Sequence, residues 1–190
     1  MTMKLTGTTP LLCHNARLVD PDDEIVIEMK KITSKKKKTD EDRKQLGWLE
    51  FMGGLYVSDA TGEPTMPTAN IRRCLVEAGK TRKLGKQIGR AATFLEFETP
   101  LIYDGPKEPS KLASRPEFRH RAVVRNQANR IIRVRPKFSQ WQLVASLELI
   151  EDLLDPIEFR DVANLAGMIE GLGDNRINGF GRFTVEVTNA

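Results

Sequence analysis

Gly171-Leu172-Gly173-Asp174-Asn175-Arg176-Ile177-Asn178-Gly179-Phe180-Gly181-Arg182 is the stretch on which the reading of this 190-residue chain turns. Glycines stand at 171, 173, 179 and 181. With glycine near its usual share of about 7%, four at such fixed offsets arise by chance about once in 40,000 starts. Glycine lets a chain leave a helix through positive φ and lets its backbone approach a ligand or another strand closely. The flanks agree with that role. Pro156 opens a helix that runs to about Ile169, and Phe183 to Val187 alternates as a strand. The loop is therefore a glycine-rich helix-to-strand connection. Backbone N–H groups exposed there suit phosphate oxygens, with Arg176 and Arg182 beside them, although such a connection also exists without a ligand.

Working outward, Lys4–Thr8 reads as a first strand. Thr68 caps a helix to about Lys80, with Ile71, Leu75 and Ala78 on one face. Thr93–Glu98 alternates as a second strand. Trp141–Ile150 is a third, with Leu143, Ala145, Leu147 and Leu149 on one side. Leu55–Val57 is strand-like as well. Set apart from its insertions, the chain runs strand, helix, strand, strand, helix, strand. That order is the α+β, ferredoxin-like βαββαβ arrangement shared with RNA-recognition modules. One domain over residues 1–190 is expected, with an inserted helical segment at about 20–54 and a hairpin insertion at about 104–139.

The first insertion opens with the turn Asp20-Pro21-Asp22-Asp23 and a helix over Glu24 to Lys31. Lys35 to Lys38 form a solvated cationic run. Thr39 then caps a helix whose first turn holds Asp40, Glu41 and Asp42, and which ends at Gly53-Gly54. Leu46, Trp48 and Leu49 make its apolar side.

Charge separates the function classes. The chain carries 30 Lys+Arg against 26 Asp+Glu, a net +4, so its balance is only mildly basic. Arg115 to Lys137 departs from it: Arg115, Arg119, Arg121, Arg125, Arg130, Arg133, Arg135 and Lys137 face Glu117 alone. Arg119 and Arg121 share strand parity, as do Arg133 and Arg135. Each pair projects from one face at about 6.5–7 Å, close to the spacing of successive phosphates on a single strand. Arginine donates a planar fork to phosphate, which grips backbone without reading bases. The bland alternative is a solvated hairpin, or one paired with acidic segments of a neighbour.

Two histidines and two cysteines exclude a His-rich metal site, a zinc cluster and a disulfide framework, and no cofactor is expected. No apolar run approaches the ~18 residues of a membrane helix. Met1 to Gly7 lacks an apolar signal core, so the cytoplasm is the expected compartment. His14 and His120 have no obvious catalytic partner. The aspartates 20, 22 and 23 read first as a helix-capping turn. No catalytic residue and no enzyme activity are expected.

The spacing G-x-G-x5-G-h-G, between the last helix and last strand of a ferredoxin-like unit, resembles the signature of the RAMP superfamily of CRISPR-associated proteins. Glu63-Pro-Thr-Met-Pro-Thr-Ala-Asn-Ile-Arg-Arg-Cys-Leu75 is similar to the segment in which such proteins enter their first helix. Gly7-Thr-Thr-Pro-Leu-Leu12 resembles the end of their first strand. Thr68-Ala69-Asn70 stands where Gly-Ser is more usual, and residues 20–54 have no counterpart. The resemblance implies a backbone subunit, with one ferredoxin-like unit and a hairpin "thumb", that polymerises head to tail along a guide RNA beside other CRISPR-type subunits. On that reading Arg119, Arg121, Arg125, Arg130, Arg133, Arg135, Lys137, Gly171, Gly173, Arg176, Gly179, Gly181 and Arg182 bind nucleic acid. Single-stranded DNA stays open as a ligand or target. Two rivals stay open too: an RNA-processing endoribonuclease using His14, and a RAMP-like adaptor or single-stranded-DNA binder, phage-encoded in one version.

Overall fold

Met3 and Leu5 alternate with Lys4 and Thr6 in the first strand, so one face of that strand must be covered. A computed structural model describes residues 1–126 and 129–188, and the side chains of Arg125, Asn126 and Asn129 fall outside that description. In chain order the elements are β1 (Thr2–Gly7), β2 (Leu11–Leu12), α1 (Glu24–Thr33), α2 (Asp40–Gly54), β3 (Thr65–Pro67), α3 (Thr68–Lys80), α4 (Gly85–Ala91), β4 (Ala92–Phe94), β5 (Glu98–Pro100), α5 (Pro109–Ser114), β6 (Arg119–Asn126), β7 (Asn129–Phe138), β8 (Gln142–Leu149), α6 (Pro156–Leu165) and β9 (Phe183–Thr188). The architecture is α+β.

β4, β8, β1 and β9 form an antiparallel sheet in that order. Leu5 lies opposite Leu143 and Val185, and Met3 opposite Ala145 and Val187, which puts the apolar residues of three strands on one face. Ile71, Cys74, Leu75 and Ala78 of α3 and Phe159, Val162 and Ala163 of α6 are buried in the same core. The other face carries Lys4, Thr6, Ser146, Glu148, Thr184 and Glu186, and no aromatic ring stands on β1, β8 or β9 there.

A second sheet, β2-β7-β6, holds the hairpin. Its base rests on an edge-to-face cluster of Tyr103, Phe118 and Phe138, with ring centroids 4.8 to 6.0 Å apart. In the insertion, α2 packs against β7 and α1 packs on α2. Gly47 and Gly54 bring α2 in close: a Cβ would lie 3.2 Å from Val134 at Gly47 and 3.1 Å from Pro136 at Gly54.

Several local expectations need correction. Trp48 is 43% exposed, because the buried stripe of α2 runs through Gly47, Glu50, Phe51 and Gly54 instead. The strand expected over Thr93–Glu98 stops at Phe94. Thr68 draws the next residues away: its N–H donates to the Phe97 carbonyl (2.9 Å) and its Oγ1 to the Glu96 carbonyl (2.6 Å). Thr68 is thus inside α3, and Pro67 holds the cap position with no side-chain bond. Leu55–Val57 makes only an isolated bridge, Val57 to Pro64. The last helix ends at Leu165 in a wider turn, Ala166–Glu170, where Gly167 meets the Phe183 carbonyl so closely that a Cβ would sit 2.0 Å from it.

The expected cap of α2 is present as a reciprocal pair. The Asp42 N–H donates to Thr39 Oγ1 (3.1 Å), and the Thr39 N–H donates to the Asp42 carboxylate (2.9 Å). Lys35 Nζ donates to that carboxylate at 2.6 Å. Lys35 and the Thr39 N–H hold the Asp42 carboxyl down, from 3.8 to about 2. A depressed folded-state pKa gives stability that is present above the unfolded value and lost as pH falls through the folded one. The melting temperature should therefore fall between about pH 4 and pH 2 more steeply in the native chain than in Asp42→Asn. Parallel curves would remove Asp42 from the acid limb.

Candidate nucleic-acid interface

The glycine loop is stitched to the segment that follows β1. The Asp174 N–H donates to the Leu12 carbonyl (2.8 Å), the Gly181 N–H to the Pro10 carbonyl (2.8 Å) and the Arg182 N–H to Thr9 Oγ1 (2.9 Å). All four glycines have positive φ, from 71° to 84°. A Cβ on Gly173 would lie 2.1 Å from the Leu12 carbonyl oxygen, and one on Gly181 would lie 1.9 Å from that of Leu172. On Gly171 it would meet the Phe180 and Gly181 carbonyls at 2.9 Å. Packing alone accounts for these three glycines. The N–H groups of residues 171, 172, 174, 175, 178, 179, 181 and 182 all donate within the chain, which removes most of the donors expected to meet phosphate. Gly179 differs: among the described residues nothing lies within 4 Å of its Cβ position. Beneath the loop, Cys74 donates its thiol to the Gly171 carbonyl (3.2 Å).

The hairpin register sorts its cations by face. Arg119 pairs with Pro136, Arg121 with Val134 and Val123 with Ile132, so these share one face. His120 pairs with Arg135, Ala122 with Arg133 and Val124 with Ile131 on the other, and Lys137 belongs with them by parity. The two arginine pairs expected to track a strand thus point in opposite directions. Arg130 lies opposite Arg125 in the register, and the Arg125 side chain is outside the described residues.

Two of the cations are committed within the chain. Arg133 Nη1 donates to Glu50 at 2.7 Å, and the other oxygen of Glu50 accepts the Val134 N–H at 2.8 Å. Glu50 is only 5% exposed. It stands where β2 has run out as a partner for β7, whose pairing there covers only Phe138 and Lys137. Arg135 forms an ion pair with Asp174, tying the hairpin to the glycine loop. Phe180 meets His120 edge-on beside it, at 5.2 Å between ring centroids. Arg121, Arg130 and Lys137 make no ion pair among the described residues.

These contacts bring the two expected regions together around His14. His14 is exposed, and its carbonyl accepts the Tyr56 hydroxyl at 3.1 Å. One groove of about 170 Å³ runs between His14, Tyr56, Asn70 and Arg73 and the loop from Gly171 to Arg176. A second, of about 370 Å³, runs from His14 between the hairpin (Ile131, Arg133, Arg135) and the insertion (Leu18, Val19). Arg176 pairs loosely with Glu170 at 3.8 Å, and Arg182 Nη2 donates to the Arg176 carbonyl at 3.2 Å. Reading the sequence did not find Glu50, Tyr56, Arg73 or Asp174. The only local signal was a carboxylate set inside the apolar run Trp48-Leu49-Glu50-Phe51-Met52.

The residues considered for catalysis are also placed. Asp23 caps α1, accepting from the Ile25 N–H (2.9 Å), and pairs with Arg17 at 2.7 Å. Asp20 accepts from the Asp22 N–H at 3.0 Å. Burial first, then Arg135 and Lys137, hold His120 below the usual histidine range. Burial pushes both thiols, Cys13 and Cys74, up to about 12, so neither is a nucleophile at neutral pH. Among the described residues no group of three His, Cys, Asp or Glu is placed to hold a metal ion, and no helix is long and apolar enough to cross a membrane.

No family model and no curated protein matches the chain. Sixteen chains in solved structures do. One belongs to the cryo-EM structure of the Type III-B Cmr-beta bound to cognate target RNA. It is 14% identical, with a TM-score of 0.54, over 98% of this chain and 58% of that one. This chain thus spans less than two thirds of the length of that relative, and what the two share is a fold.

Proposed function

We propose that the chain is a RAMP-type subunit, built on one ferredoxin-like βαββαβ unit, that binds single-stranded RNA along its backbone inside a CRISPR-type ribonucleoprotein. The observation that carries this reading is the convergence at His14. Hairpin, glycine loop and the start of α3 meet there in two grooves that share His14, with Arg73 and Arg176 lining the first, Arg182 beside Arg176, and Lys137 near His120 on the hairpin face that carries Arg135. Likeness of fold to a chain of an RNA-bound complex supports it. The polar outer face of the main sheet supports the choice of surface, since RNA-recognition modules stack bases on aromatic rings at that face. In this reading the chain is a binding protein of the cytoplasm, repeated head to tail along a guide-like RNA, and not an enzyme. The exposed cations at the groove hold phosphates, Gly179 gives the strand room to pass, and the bases stay free to pair.

The test is fluorescence anisotropy with matched single-stranded RNA, single-stranded DNA and duplex DNA over a salt series, with each sample then run on a gel. Four phosphate contacts on a single strand predict a slope of about −3 in log K against log salt. Lys137→Ala should lower its magnitude by about 0.7. Intact RNA bound with that slope is the expected result. Cut RNA would move the reading to an endoribonuclease using His14. Preference for DNA would move it to a single-stranded-DNA binder. No binding at low salt would overturn it and leave an adaptor scaffold.

A further inference from the structure

A second concentration of positive charge lies outside the hairpin, on α3 and α4. From Arg72 to Arg90 the chain holds seven lysines and arginines against one acid, Glu77. Three of the seven are neutralised. Glu77 takes Arg73 at 2.6 Å and Lys80 at 2.7 Å, and Asp161 takes Arg82 at 3.1 Å. Arg72, Lys83, Lys86 and Arg90 make no ion pair among the described residues, and all four are exposed.

Packing fixes the backbone that carries them. A Cβ on Gly79 would meet the Ile88 side chain at 2.4 Å, and one on Gly85 the Val76 carbonyl at 2.8 Å, so α4 lies close on α3. The turn between the helices is closed by the Leu84 N–H on the Gly79 carbonyl (2.8 Å) and the Lys83 N–H on the Lys80 carbonyl (3.1 Å). Lys83 sits in that turn at φ of 63°, a left-handed conformation that glycine or asparagine adopts at lower cost. Lys86 and Arg90 are one turn apart on α4, about 6 Å along its axis, which is close to the spacing of successive phosphates on a single strand. The Arg72 guanidinium crosses to the Gly89 carbonyl, beside Arg90.

The surface has one closed limit and one open one. The Ile150 N–H donates to the Ala91 carbonyl (2.9 Å), which sets the acidic turn of Glu151 and Asp152 beside the end of α4 and reverses the sign of the charge there. On the other side Arg72 adjoins Arg73, and Arg73 lines the groove at His14. The four cations continue that groove. Between residues 72 and 90 there is no aromatic ring, and no large apolar side chain is exposed. A protein partner needs such an anchor, whereas a phosphate backbone needs only charge.

We infer that Arg72, Lys83, Lys86 and Arg90 are a second phosphate-binding surface, which takes the strand as it leaves the His14 groove past Arg73. This deepens the reading of the chain as an RNA-backbone binder and rests on it. It lengthens the stretch of RNA that one copy holds, through contacts that read no base.

The test compares single-stranded RNA oligonucleotides of about 4 and about 16 nucleotides over a salt series. The triple variant Lys83→Asn, Lys86→Gln and Arg90→Gln removes three charges from exposed positions, and asparagine accepts the left-handed conformation at 83. On the long RNA the slope of log K against log salt should shrink by about 2, while affinity and slope on the short RNA stay native. Equal shrinkage on both RNAs overturns the inference. A control variant loses the same charge elsewhere, through Lys36→Gln, Lys37→Gln and Lys44→Gln, and should keep a slope near native on the long RNA. If it matches the triple variant, net charge alone is at work and the surface is overturned. A native slope on the long RNA in the triple variant, with the short RNA still bound, sinks the surface and spares the groove. Long RNA held through the three cations, by a chain that does not bind the short RNA, does the reverse.

Discussion

Alanine at Gly181 should destabilise the chain by about 4 kcal/mol or more, a size reserved for steric conflicts that the structure has no way to relieve. Two effects add. The site has φ of +71°, which costs an L-residue about 1–2 kcal/mol. The new Cβ would also lie 1.9 Å from the Leu172 carbonyl oxygen, which is backbone and not a movable side-chain end. Relief requires breaking the bond from the Leu172 N–H to the Gly181 carbonyl (2.9 Å) that closes the loop. Gly173→Ala should behave alike, against the Leu12 carbonyl at 2.1 Å. Gly179→Ala is the control: its φ is +84° but nothing crowds it, so about 1 kcal/mol is expected. With total stability of a domain at about 5–15 kcal/mol, urea midpoints will separate the three clearly. Equal losses at Gly179 and Gly181 would show that conformation alone, not close approach, selects glycine here.

Glu50→Ala should be the most damaging change on the insertion. It strips the acceptor from the buried Val134 N–H, which costs about 1–3 kcal/mol. It also opens a gap between α2 and β7. The loss of the Arg133 pair adds less, because that side chain is 37% exposed and water replaces much of the interaction. Glu50→Gln retains one oxygen for the Val134 N–H and should recover a good part of the stability. Hydrogen exchange at the Val134 amide reads the event directly: protected in the native chain and in Glu50→Gln, fast in Glu50→Ala. Protection that survives in the alanine variant would mean that packing at Gly47 and Gly54 fixes the hairpin without the carboxylate.

Much of the fold could be read from local patterns. The alternation of Leu143, Ala145 and Leu147, the helical spacing of Ile71, Leu75 and Ala78, and the Thr39 cap are each local to one element, and each appears as expected. What escaped depends on partners distant in sequence. Residues 95–97 keep a strand-like pattern but leave the strand, because Thr68, 28 residues away from Glu96, takes the carbonyls of Glu96 and Phe97. Glu50 reads as a solvated helix residue until its partner 83 residues on is known. The charge of the hairpin was plain from composition. Which arginines face a groove and which face solvent followed only from the register and from Glu50 and Asp174, two acidic residues with no local mark. The glycine spacing drew attention to the segment before β9, while the purpose of three of its glycines lay in carbonyls that no sequence pattern displays.

β1 occupies the middle of the main sheet, yet its partners arrive late. Thr2 pairs with Ser146 on one side and with Thr188 on the other. As synthesis proceeds, Met3 and Leu5 wait for more than a hundred residues before any sheet neighbour exists, and Lys4 and Leu5 gain their second neighbour, β9, near the end of the stretch described. Such non-local pairing makes folding slow and leaves apolar strand edges open in the interval. The central strand of this sheet is thus made long before either of its partners and completed only when both are present, and the nascent chain has good reason to need a chaperone until β8 and β9 have emerged.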